Sequence, residues 1–146
     1  MAEVLFRSLH LLGALGMAAG ILVAALAASS MNADRDNLDA ADPAALFRKV
    51  YGLTAAAVML SVGAGLMLWL VVGKPAAFFS NNPVFHAKIA LVLVMLATLI
   101  YPAWYLCRSR PPQPMPASVL RLQKSTFPLL LIVPVLAYLM ARGIGY

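Results

Sequence analysis

LHLLGALGMAAGILVAALAA, residues 9–28, carries no formal charge and one histidine, His10. At the rise of an α-helix, about twenty such residues cross a hydrocarbon core of roughly 30 Å. The run therefore reads as a transmembrane helix. Arg7 ahead of it and Ala25-Leu26-Ala27 before Ser29-Ser30 imitate a secretory signal peptide. The apolar run is longer than a signal h-region, so the segment is expected to remain as the first span.

Three further runs of the same kind follow. They lie at about 53–73, at about 84–107 with Lys88 near its beginning, and at about 127–141. The last is short. Pro128 is expected in its first turn, where a missing amide hydrogen costs little, and Pro134 deeper, where it should kink the helix. A tilted or re-entrant segment is the alternative for this span. The expected architecture is an all-α integral membrane four-helix bundle in a single transmembrane domain, residues 1–146.

Composition points the same way. Of 146 residues, 63% are hydrophobic and 11% charged, which is outside the balance of a soluble globular domain. The net charge of +6 comes from lysines and arginines at span ends and in loops. No basic stripe interleaves with aromatics, which argues against nucleic acid. The expected partner is the lipid bilayer, with a membrane protein partner or a homo-oligomer alongside it. Cys107 is the only cysteine, so an internal disulfide and a thiolate cluster are both excluded. Asp34, Asp36, Asp39 and Asp42 lack the glycine and closing glutamate of an EF-hand loop and read as a solvated connector. Trp69, Tyr101, Trp104 and Tyr105 lie toward span ends and are expected to be headgroup anchors.

Short-loop charges set the orientation. Arg35, Arg48 and Lys49 flank the first loop and Arg108, Arg110, Arg121 and Lys124 the third, against Arg7, Lys74, Lys88 and Arg142 on the other side. The first and third loops are expected in the cytoplasm and both termini outside, in a bacterial inner membrane.

The chemistry available within the spans is sparse. His10 and His86 are the only histidines, both inside spans and within two turns of the same membrane face. Polar side chains at that depth are costly unless they meet a partner, a cavity or a cofactor. Two imidazoles on different helices suit the axial positions of a b-type haem, and Arg7 and Lys88 lie at a depth suited to its propionates. Gly13, Gly16 and Gly20 form a smooth stripe beside His10, fit for a flat ring or for another helix. The alternative is that each histidine hydrogen-bonds across helices, Lys88 snorkels to the headgroups and the glycines pack helices. Met17, two turns after His10, leaves a copper site as a lesser option. Hydrolysis lacks its parts, because the acids sit in one loop and at Glu3.

Three stretches carry a resemblance over nearly the full length: Leu9-His10, Phe47-Arg48-Lys49-Val50-Tyr51-Gly52-Leu53, and Asn82-Pro83-Val84-Phe85-His86-Ala87-Lys88. With them the chain resembles a family of small predicted bacterial membrane proteins of unknown function. More distantly, its layout is similar to the HemJ-type protoporphyrinogen oxidases and related CopD-like membrane proteins. In the HemJ type a His-x-Lys like His86-Ala87-Lys88 opens the third span, and the resemblance implies b-type haem and interest in His10, His86 and Lys88. HemJ-type proteins tend to carry a further histidine later in that span, where this chain has apolar residues and Tyr101.

Two functions are thus expected to compete. One is haem-based electron transfer or haem-linked oxidation, with His10 and His86 as metal ligands and Arg7 and Lys88 toward the cofactor. The other is a cofactor-free accessory or structural subunit of a larger membrane complex.

Overall fold

A computed structural model describes residues 1–33, 43–73, 76–108 and 116–144. Four long helices dominate: α1 (Ala2–Ala33), α2 (Pro43–Met67), α4 (Pro83–Arg108) and α5 (Ala117–Ala141). α2 runs on into one π-helical turn, Leu68–Val72, and a short helix α3 (Ala76–Ser80) precedes α4. No strand occurs among the described residues.

By length and composition three segments qualify as membrane spans: Ala2–Leu26, Phe47–Val72 and Pro83–Tyr105. The apolar part of α5, Pro128–Met140, is shorter, but the helix that contains it begins at Ala117. The sequence-based boundaries change accordingly. The first and second spans begin earlier than expected, and Pro128 falls in the interior of α5 rather than in a first turn. Pro102, which the sequence reading passed over, lies inside α4 with its side chain fully buried.

α1 sits beside α2 and α5, α4 beside α2 and α5, so α1 and α4 occupy one diagonal of the bundle. The interior is small and the outside apolar. Met17, Ile21, Met95 and Leu99 form one buried cluster, and Ala24, Phe47 and Val119 another. Leu12, Met59, Leu93 and Leu131 are exposed, as expected of helices whose surroundings are lipid rather than water.

The helix ends are capped in ways that anchor the bundle. Asn82 is the N-cap of α4, with Pro83 at the first helical position. Its Oδ1 accepts from the Val84 N–H at 2.8 Å, and its Nδ2 donates to the Ile144 carbonyl at 3.3 Å. At the end of α5, Gly143 adopts φ 77°. Its N–H bonds to the Met140 carbonyl and that of Ile144 to the Leu139 carbonyl, the Schellman pattern for which glycine is suited. The start of α4 thereby clasps the end of α5.

Candidate functional site

The glycine stripe of α1 is closed by α2. A Cβ built on Gly13 would stand 2.6 Å from the Ser61 backbone nitrogen and 2.7 Å from the Ala57 carbonyl oxygen. On Gly16 it would meet the Ala57 Cβ at 3.0 Å, and on Gly20 it would overlap the Thr54 hydroxyl. Of the two uses the sequence left open for this stripe, the structure takes helix packing: small residues let two backbones approach where no water-driven force exists.

His10 is part of the same contact. Its Nδ1–H donates to the Ser61 carbonyl at 2.7 Å, and the Ser61 hydroxyl donates to the His10 carbonyl at 3.2 Å. Since a carbonyl only accepts, the bond fixes the tautomer and leaves the lone pair on Nε2. Gly65 makes room for the ring; a Cβ there would come within 3.1 Å of Nδ1 and Cε1. Lys88, half-buried on α4, is close enough to act electrostatically on this imidazole.

His86 has a different neighbourhood. It is exposed, and its Nε2–H donates to the Ser80 carbonyl at 2.7 Å. The Ser80 hydroxyl accepts from Trp69 Nε1 at 3.3 Å, so one serine ties α3 to both its neighbours. Trp69 also packs edge-on against Phe85 with ring centroids 5.0 Å apart. Arg7 pairs with Glu3 one helical turn away. His10 and Lys88 are thus brought into electrostatic reach of each other, whereas His86 and Arg7 each bond to a near sequence neighbour.

These positions test the haem expectation. His10 fits the role of a ligand: a histidine bound to a metal donates its other ring N–H to a carbonyl or carboxylate. A macrocycle lying along the glycine stripe does not fit this arrangement. The stripe is filled by α2, whereas His86, with its Nε2–H on the Ser80 carbonyl, keeps the lone pair on Nδ1. A shallow recess lined by Gly20, Tyr51, Thr54, Leu99 and Thr126 has no room for a water-sized group, let alone a macrocycle. It also lies about three turns along α1 from His10. Among the described residues no three His, Cys, Asp or Glu side chains group as a metal site, and Met17 sits in the apolar core. Lys74 and the four aspartates lie outside the described residues.

The anchors divide too. Tyr101 and Trp104 are exposed and stacked, with the Arg108 guanidinium carbon 5.3 Å from the Trp104 centroid. Tyr105 instead packs on the Ala24, Phe47 and Val119 cluster. The sequence reading missed Ser61, Thr54, Thr98 and Thr126; the available signal was that each is a hydroxyl within an apolar run.

Residues 2–145 match the model of a family described as a predicted membrane protein (DUF2214). No curated protein and no solved structure matches the chain.

Proposed function

This chain belongs to the DUF2214 family of predicted membrane proteins, and we propose that it serves as a cofactor-free accessory or structural subunit of a larger membrane complex. The observation that carries this reading is the closure of Gly13, Gly16 and Gly20 against Ala57, Ser61 and Thr54. Gly13, Gly16, Gly20 and His10 of α1 are engaged in packing α2, and Leu5, Leu11, Leu12, Leu15 and Leu22 face outward. Such a bundle acts through its surface. Its basic residues Arg108 and Arg121, near the loop between α4 and α5, favour an inner-membrane protein with that loop in the cytoplasm and both termini outside.

A second reading is favoured by the free Nε2 of His10: one b-type haem with His10 as ligand and His86 and Lys88 as further candidates. The distant HemJ-type resemblance belongs to this reading. It requires a slot other than the glycine stripe.

Absorption spectra of the detergent-purified protein, oxidised and reduced, decide between them after expression with ample haem. The subunit reading expects no Soret band in the wild type, together with reproducible co-purification of membrane proteins. A Soret band that is lost in His10→Ala overturns it in favour of haem.

A further inference from the structure

We propose that the ladder of Tyr101, Trp104 and Arg108 on α4 is a binding site for the phosphate of an anionic phospholipid. Each rung touches the next along one helix face. The Tyr101 and Trp104 rings stack with centroids 6.4 Å apart and planes 29° from parallel, and the Arg108 guanidinium carbon lies 5.3 Å from the Trp104 centroid. Spacings of three and four residues give that order. The top of the ladder suits an oxyanion. An indole carries one N–H and no lone-pair acceptor, so Trp104 holds the cation through its ring and leaves the N–H donors of Arg108 to a second partner. Two of those donors match a forked pair of phosphate oxygens.

Depth identifies a lipid as the source of the phosphate. The span in α4 ends at Tyr105, so Trp104 falls in its last turn and Arg108 about 5 Å beyond its end. That is the level of the glycerol and phosphate groups, where amphipathic rings and cations collect. Val94 and Ala97 continue the same face inward. Val94, Tyr101 and Trp104 are exposed by 52%, 43% and 54%, and Ala97 is exposed too. An acyl chain lies along such a track with its phosphate at the guanidinium. A soluble phosphate has no use for the apolar part.

The charge at this end of the bundle selects an anionic headgroup. Tyr105, on the turn between Trp104 and Arg108, packs on the cluster of Ala24, Phe47 and Val119. A 2.9 Å bond between the Thr98 and Thr126 hydroxyls ties the same half of α4 to the first half of α5. Lys49 and Arg121, both exposed, stand within one turn of Phe47 and Val119, so three helices bring basic side chains to one end. A basic rim of this kind favours a headgroup of net negative charge over a zwitterion.

The test is binding of dioleoyl phosphatidylglycerol to the whole chain in detergent, followed by native mass spectrometry. Dioleoyl phosphatidylcholine and inorganic phosphate are the comparison probes. Phosphatidylglycerol is expected to bind more tightly than phosphatidylcholine. Arg108→Gln should weaken it about tenfold, the loss of a charge-assisted hydrogen bond. Trp104→Leu should weaken it about threefold, the loss of the cation–ring contact that orients the guanidinium. Arg121→Gln removes the same charge from the same end, acts only through screened solvent, and should cost less than about twofold. Equal losses in Arg108→Gln and Arg121→Gln overturn the site, because they assign the preference to diffuse charge. So do equal binding of the two lipids and a preference that survives Arg108→Gln. Displacement of phosphatidylglycerol by inorganic phosphate at matching concentration also overturns it and assigns a soluble oxyanion instead. All three side chains are exposed, and circular dichroism confirms each variant's helicity. Should Arg108→Gln fail to fold, Trp104→Leu carries the test alone, and unchanged binding there overturns the ladder.

Discussion

α1 lies against α2 through Gly13, Gly16 and Gly20, whereas α4 lies against α5 through a threonine pair and an asparagine clasp. In the first pair the contact is largely backbone: a Cβ on Gly13 would run into the Ser61 nitrogen and the Ala57 carbonyl. In the second pair the contact passes through side chains that can rotate and bonds that can be deleted one at a time. Where backbones touch, the interface depends on what is absent from the glycine, and a single methyl is disruptive. Where side chains touch, the loss of one group is tolerated by its neighbours.

The largest effect should therefore come from Gly13→Ala. Neither atom that the new methyl meets can swing aside, so the helices must separate, at a cost of about 3 kcal/mol, the upper part of the range for overpacking. Gly63→Ala is the matched control: nothing lies within 4 Å of its added Cβ, and helix propensity alone predicts a change of less than about 1 kcal/mol. Unfolding of both variants in bicelles measures the difference. Equal stabilities would mean that α1 and α2 do not approach as closely as described.

On the other pair, Asn82→Ala removes two roles of one fully buried side chain, the cap of α4 and the tether to Ile144. A lost N-cap costs about 1–2 kcal/mol. Amide exchange should rise at Val84 and Phe85 and at residues 143–144 while α1 and α2 stay protected. Faster exchange throughout the chain would show that the pairs unfold as one unit and would remove the contrast between them.

The two pairs also differ in how much of them could be read from sequence. The spans were legible because a run of apolar residues is sufficient in itself, and the glycines were legible because their spacing puts them on one face. What the stripe would receive, a ring or a helix, was not, since both demand the same smooth surface. Ser61 was invisible as the partner of His10: the acceptor is a main-chain carbonyl 51 positions away, and every residue type supplies one. Pro128 was misplaced because α5 begins well before its apolar part, with Arg121 in its polar first half. Asn82-Pro83 was quoted as part of a resemblance when its physical meaning was a helix start. His10 and His86 lie at similar depths by counting, but depth does not set direction, and each turns to a different carbonyl.

The smallest effect sharpens the comparison most. Ser61 meets His10 through its carbonyl and through its hydroxyl, which donates to the His10 carbonyl and lies 3.3 Å from Nδ1, and only the hydroxyl is removed in Ser61→Ala. Hydrogen bonds between helices within a membrane average about 0.6 kcal/mol, so stability should fall by no more than that. The imidazole should keep its proton on Nδ1, because the shorter bond to the carbonyl remains, and its ring nitrogen shifts in a ¹⁵N spectrum should show the same tautomer with only a small change at Nδ1. Gly65→Ala is the counterpart, since its methyl crowds the ring at 3.1 Å and should alter those shifts without touching Ser61. A changed tautomer in Ser61→Ala would make the hydroxyl the true partner. α1 and α2 would then depend on a side-chain hydroxyl as α4 and α5 do, and the glycines would be permissive rather than decisive.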